Sequence, residues 1–127
     1  MRKNCLIKLS GDVIQEKVLA WIGKLAKDYF IVLCVGGGTQ INTAFIKAGF
    51  TVGIHGPLGR ETKNLAERQL ARDVLEKNQA ELQDRLAAIG VQAAVVIPVV
   101  EVGTVLCHVN GDQFCSQLTT DSTNCML

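Results

Sequence analysis

The chain has almost no net charge: 13 lysines and arginines stand against 12 aspartates and glutamates, leaving +1 over 127 residues. A balance that close gives no electrostatic ground for binding nucleic acid or an anionic membrane. No apolar stretch approaches the ~20 residues that a membrane-spanning helix needs. The opening Met1-Arg2-Lys3-Asn4 is positively charged, but charge returns at Lys8 before any adequate apolar region, which argues against a signal peptide. There is no internal repeat and no low-complexity linker. Cys5, Cys34, Cys107, Cys115 and Cys125 are odd in number and contain no C-x-x-C pair. His108 and Cys115 are the remaining conceivable metal ligands, and two such residues without a paired motif make no metal site. Cys5 and Cys34 lie in apolar runs, where cysteine acts as a small hydrophobe. That usage fits reduced core thiols of a cytoplasmic protein.

What is present is a globular composition, 48% hydrophobic and 20% charged, in a chain of single-domain length. Residues 5–9 and 31–35 are nearly continuous apolar runs, as strands covered on both faces should be. Between them, apolar Ile14, Val18, Ile22 and Leu25 predict a helix over residues 13–29, after a Ser10-Gly11-Asp12 turn. A short helix over 40–48, a weak strand over 51–54 and an exposed turn over 55–59 follow. The longest helix is expected over 63–88, its outer side supported by the pairs Asp73/Lys77, Lys77/Glu81 and Glu81/Arg85. Strands are then expected over 91–97 and 104–109, the latter entering a hairpin turn at Asn110-Gly111-Asp112. This alternation predicts an α/β fold: a three-layer α/β/α sandwich with a mainly parallel sheet. Residues 115–127 are polar, without apolar periodicity over 116–124, and are expected to be disordered or foreign to that fold.

Three consecutive glycines, Gly36, Gly37 and Gly38, stand between the second strand and the helix that follows. Such a run lets bare amides approach an anion at the positive end of a helix. Lys8 lies near the end of the first strand. If the two strands are parallel neighbours joined by a right-handed crossover, Lys8 and the glycines emerge on one sheet edge, where α/β proteins bind ligands. The pattern is neither G-x-G-x-x-G nor the G-K-[ST] of a P-loop. The plain alternatives are a tight turn without a ligand and a strand-end lysine in water.

Ile7-Lys8-Leu9-Ser10-Gly11, Val35-Gly36-Gly37-Gly38-Thr39-Gln40-Ile41-Asn42 and the stretch from Glu61-Thr62 through Asn78-Gln79-Ala80-Glu81-Leu82 together resemble the amino acid kinase family over residues 4–114. That family includes N-acetylglutamate kinase, glutamate 5-kinase, aspartokinase, carbamate kinase and bacterial uridylate kinase. The resemblance implies the amino-terminal, acceptor-substrate lobe (residues 1–114) of an ATP-dependent phosphotransferase acting on a small carboxylate or phosphate. It implies that Lys8 neutralises the transferring phosphoryl group, that Ser10, Gly11, Gly36, Gly37 and Gly38 bind phosphate, and that Asn42, Arg60 and Thr62 contact the acceptor. ATP and Mg2+ are the implied cofactors of the full-length enzyme, and a homodimer through the long helix is the implied partner state. The sequence departs from the family at Thr39, where many relatives have proline, and at Asp12, where several carry a small residue. Nothing after Phe114 resembles the nucleotide lobe, so the chain is expected to be half an enzyme, inactive alone. The main alternative is a non-catalytic binding or dimerisation module on the same scaffold. A dinucleotide-binding oxidoreductase domain is disfavoured, because no acidic residue stands at a ribose position after a proper fingerprint.

Overall fold

A computed structural model describes residues 3–53, 55–56, 59–102, 105–107 and 123–126. Its centre is a parallel sheet in the order β5-β2-β1-β8, formed by β1 (Lys3–Leu9), β2 (Tyr29–Val35), β5 (Ala93–Val96) and β8 (Thr123–Met126). The register sets Lys8 opposite Cys34 and Leu9 opposite Val35. Two small antiparallel ladders complete the strands: β3 (His55–Gly56) with β4 (Gly59–Arg60), and β6 (Val100–Val102) with β7 (Val105–Cys107).

The helices are α1 (Glu16–Leu25), α2 (Gly38–Lys47) and α3 (Leu65–Ala88). Alternation along the strands divides the core. Cys5, Ile7, Leu9, Ile31, Leu33, Val35 and Val95 share one face and pack with Leu19 and Ile22 of α1 and Leu82 and Leu86 of α3. Leu6 and Cys34 form a separate buried cluster on the other face. A third cluster joins Ile41 and Phe45 of α2 to Ala71 and Leu75 of α3. The architecture is thus a small α/β fold with an open parallel sheet. Cys5 and Cys34 are buried thiols, as their apolar settings predict. Among the described residues no helix is long and apolar enough to cross a membrane.

Several expected elements differ. The helix expected over 13–29 is shorter, because Ser10 caps a single 3-10 turn at Gly11–Val13 and Gln15 is extended before α1 begins. Tyr29 has already joined β2. Residues 51–53 form no strand. The turn expected over 55–59 is flanked by the two-residue ladder of β3 and β4. α3 starts two residues later than expected: the Asn64 side chain accepts from the Glu67 amide at 2.9 Å, and Glu67 Oε2 accepts from the Lys63 amide at 2.6 Å, close to a capping box. Lys77 and Glu81 do approach to 4.0 Å, but Arg85 turns instead to Glu16, at 2.8 Å. β7 pairs backwards with β6. The expected turn at 110–112 lies outside the described residues. β8 falls within the polar stretch 115–127, where its pairing with β1 carried no apolar signal.

Candidate functional site

Parallel pairing brings the carboxyl ends of β1 and β2 together. The Gly36 amide donates to the Leu9 carbonyl at 2.9 Å, tying the glycine run to the strand that carries Lys8. Lys8, partly buried, stands one residue before that tie and on the Leu6–Cys34 face of the sheet. Because β2 and β5 lie on one side of β1 and β8 on the other, the strand order reverses at β1, the point where open α/β sheets place their crevice.

The Gly36 amide, already bonded to Leu9, points into the sheet rather than toward a ligand. Gly37 takes the N-cap position of α2, and Gly38, Thr39 and Gln40 form its first turn. By position their amides have no partner within the helix. The donors facing outward are therefore displaced one or two residues along the chain from the expected triplet.

Gly11 and Gly37 are glycines because of close approach. A Cβ on Gly11 would lie 2.6 Å from Gln40 Oε1 and 2.9 Å from the Gly36 carbonyl oxygen; one on Gly37 would lie 2.7 Å from Asn78 Nδ2. Gly38 has open space where its Cβ would be. The plain alternative of a tight, ligandless turn therefore accounts for Gly11 and Gly37 but leaves Gly38 unexplained.

A polar knot fixes this arrangement. Asn78 Nδ2 of α3 donates to the Gly36 carbonyl at 3.1 Å. Asp12 accepts from the Thr39 hydroxyl at 2.9 Å and from Gln40 Nε2 at 3.1 Å. Ser10 Oγ accepts from the Asp12 amide at 3.4 Å, so its hydroxyl serves the turn. Sequence reasoning gave Asp12 only a place in the turn before the first helix, and no role to Thr39, Gln40 or Asn78. The available signal was Asn78, a polar residue on the buried row of Leu75 and Leu82. Gln40 and Asn78 also line a cleft of about 470 Å3 between α2 and α3.

Arg60 lies deeper than a loop position suggests. Expected at best to clamp a ligand from a loop, its side chain is only 1% exposed. Its guanidinium stacks over the Phe45 ring at 5.6 Å, and Nη2 donates to the Gly38 carbonyl at 3.4 Å. Phe45 is itself held edge-on by Phe50, the ring centroids 5.7 Å apart. Nε and Nη1 of Arg60 are buried without a hydrogen-bond partner among the described residues. Burial lowers the pKa of the guanidinium by penalising its charge.

Asn42 lies within α2, its Oδ1 buried without a hydrogen-bond partner among the described residues. Thr62 is buried between β4 and α3. The structure thus gathers Ser10, Gly11, Gly36, Gly37, Gly38 and Arg60 around the start of α2, while Lys8 stands at the neighbouring strand end and Asn42 and Thr62 lie within α2 and before α3. Among the described residues no three His, Cys, Asp or Glu side chains gather into a metal site. His108 and Cys115 lie outside the described residues. No protein-family model and no curated protein matches the chain.

Proposed function

We propose that this chain is an anion-binding α/β lobe that holds the acceptor side of a phosphoryl-transfer reaction, on an amino acid kinase-like scaffold. The observation that carries the reading is Arg60: a buried cation with two donors that have no partner among the described residues, bonded to the first residue of a helix that follows a glycine run. An uncompensated buried charge is destabilising, and an anion reaching Nε and Nη1 would relieve it. In this reading the carboxylate or phosphate of a small acceptor sits against Arg60. The phosphoryl group takes the first-turn amides of α2, with Lys8 supplying compensating charge. Positioning and electrostatic stabilisation are the principal demands of phosphoryl transfer, and these groups supply both. ATP and Mg2+ remain implications of the resemblance, and no step is assigned to them. Association of two copies through α3 belongs to the same reading.

The test is calorimetric titration with sulfate and phosphate. Saturable binding that falls at least tenfold in Arg60→Met supports the reading. Equal binding by the two proteins, or none by the wild type, contradicts it.

A further inference from the structure

We propose that Asp12 sets the charge of the ligand this site accepts, favouring a singly charged phosphoryl or phosphodiester group over a dianion. The proposal rests on the anion-site reading above. Asp12 is exposed, but three hydrogen bonds hold it: its amide donates to Ser10 Oγ, and its carboxylate accepts from Thr39 and Gln40. Thr39 and Gln40 are the second and third residues of α2. The carboxylate therefore stands one side chain away from the amides that would receive the ligand. The positive end of a helix attracts negative charge within its first turn, and Asp12 already brings one charge there.

A bound anion thus meets two opposed influences. Lys8 and Arg60 bring positive charge to this sheet edge, and Asp12 sets one negative charge against them. Repulsion from Asp12 scales with the ligand's charge, so a dianion is penalised twice as much, in free energy, as a monoanion in the same place. At a separation of ~6 Å with near-aqueous screening, that amounts to roughly threefold in affinity for a monoanion and tenfold for a dianion. A ligand whose phosphorus carries a single charge is therefore the better match.

The experiment titrates wild type and Asp12→Asn with two tetrahedral probes in low-salt buffer: sulfate, a dianion, and dimethyl phosphate, a monoanion at neutral pH. Asp12→Asn is isosteric and can still accept from Thr39. Sulfate affinity is expected to rise about tenfold and dimethyl phosphate affinity about threefold, both gains shrinking in high salt. Unchanged or weakened binding, or equal gains for the two probes, overturns the proposal while leaving the anion site standing. Should Asp12→Asn disturb folding, Asp12→Ser removes the same charge and carries the same expectation. Absence of binding by wild type and variants alike overturns the anion site and this proposal together.

Discussion

Arg60 Nη2 donates to the carbonyl of Gly38, 3.4 Å away, and so links a buried cation to the first residue of α2. The contact joins two stretches of chain that share little in sequence: a two-residue strand and a glycine run. It also separates stability from binding, because the same guanidinium leaves Nε and Nη1 buried without hydrogen-bond partners among the described residues.

Arg60→Met is therefore expected to keep or raise stability, by up to about 1–4 kcal/mol, since an apolar side chain of similar length removes an uncompensated charge. Urea unfolding measures this. A loss of several kcal/mol would mean that the guanidinium is already compensated.

Sulfate should stabilise the wild type by mass action, reaching about 2.7 kcal/mol at a hundredfold excess over its dissociation constant. Arg60→Met should respond far less. The lowered pKa of Arg60 fixes the sign of its own pH dependence. The folded state releases this proton before the unfolded state does, so the destabilising contribution is fully present below the lowered value. It is relieved only as pH rises through that value toward the ordinary guanidinium range. Raising the pH should therefore never lower stability through Arg60, which unfolding midpoints across a pH series measure.

The two sheet-edge loops were legible because continuous apolar runs, a lysine and three glycines are one-dimensional signals. Parallel register then did the rest, setting Leu9 beside Val35. The burial of Arg60 was not legible because it involves Phe45, fifteen residues earlier on another element, and no local pattern announces that packing. Asp12 and Asn78 escaped for the same reason, since their partners lie 27 and 42 residues away. The late start of the first helix was missed because its apolar spacing begins in residues that the backbone uses for a 3-10 turn and an extended step.

Glycine substitutions should divide by crowding. Gly11→Ala meets the Gly36 carbonyl oxygen at 2.9 Å and is expected to destabilise by about 1–3 kcal/mol. Gly38→Ala meets nothing within 4 Å and lies in a helical first turn, so it should be neutral or stabilising by up to about 1 kcal/mol. It should nevertheless weaken sulfate binding, because the methyl group enters the space a ligand needs. Thermal unfolding and calorimetry read the two effects separately.

Asn78→Ala should cost about 1–3 kcal/mol, because it leaves the partly buried Gly36 carbonyl without its 3.1 Å donor. Chemical denaturation provides the measurement.

Gln79 and Gln83, one turn apart on α3, donate to the Val95 and Ala93 carbonyls at 2.8 and 3.1 Å. They cover polar groups of β5, which lies at one edge of the four-stranded sheet. The double change to leucine should uncover those carbonyls and promote association along the edge. Light scattering against the wild type at equal concentration checks it.

The central claim is that an anion binds where α2 begins. Amide NMR of the 15N-labelled protein during sulfate titration tests it most directly. The expected result is saturable shifts concentrated at Gly38, Thr39 and Gln40, with the Arg60 Nε–H signal moving at the same midpoint. Shifts that are absent, or that favour the first turns of α1 or α3 while α2 and Arg60 stay still, would contradict it.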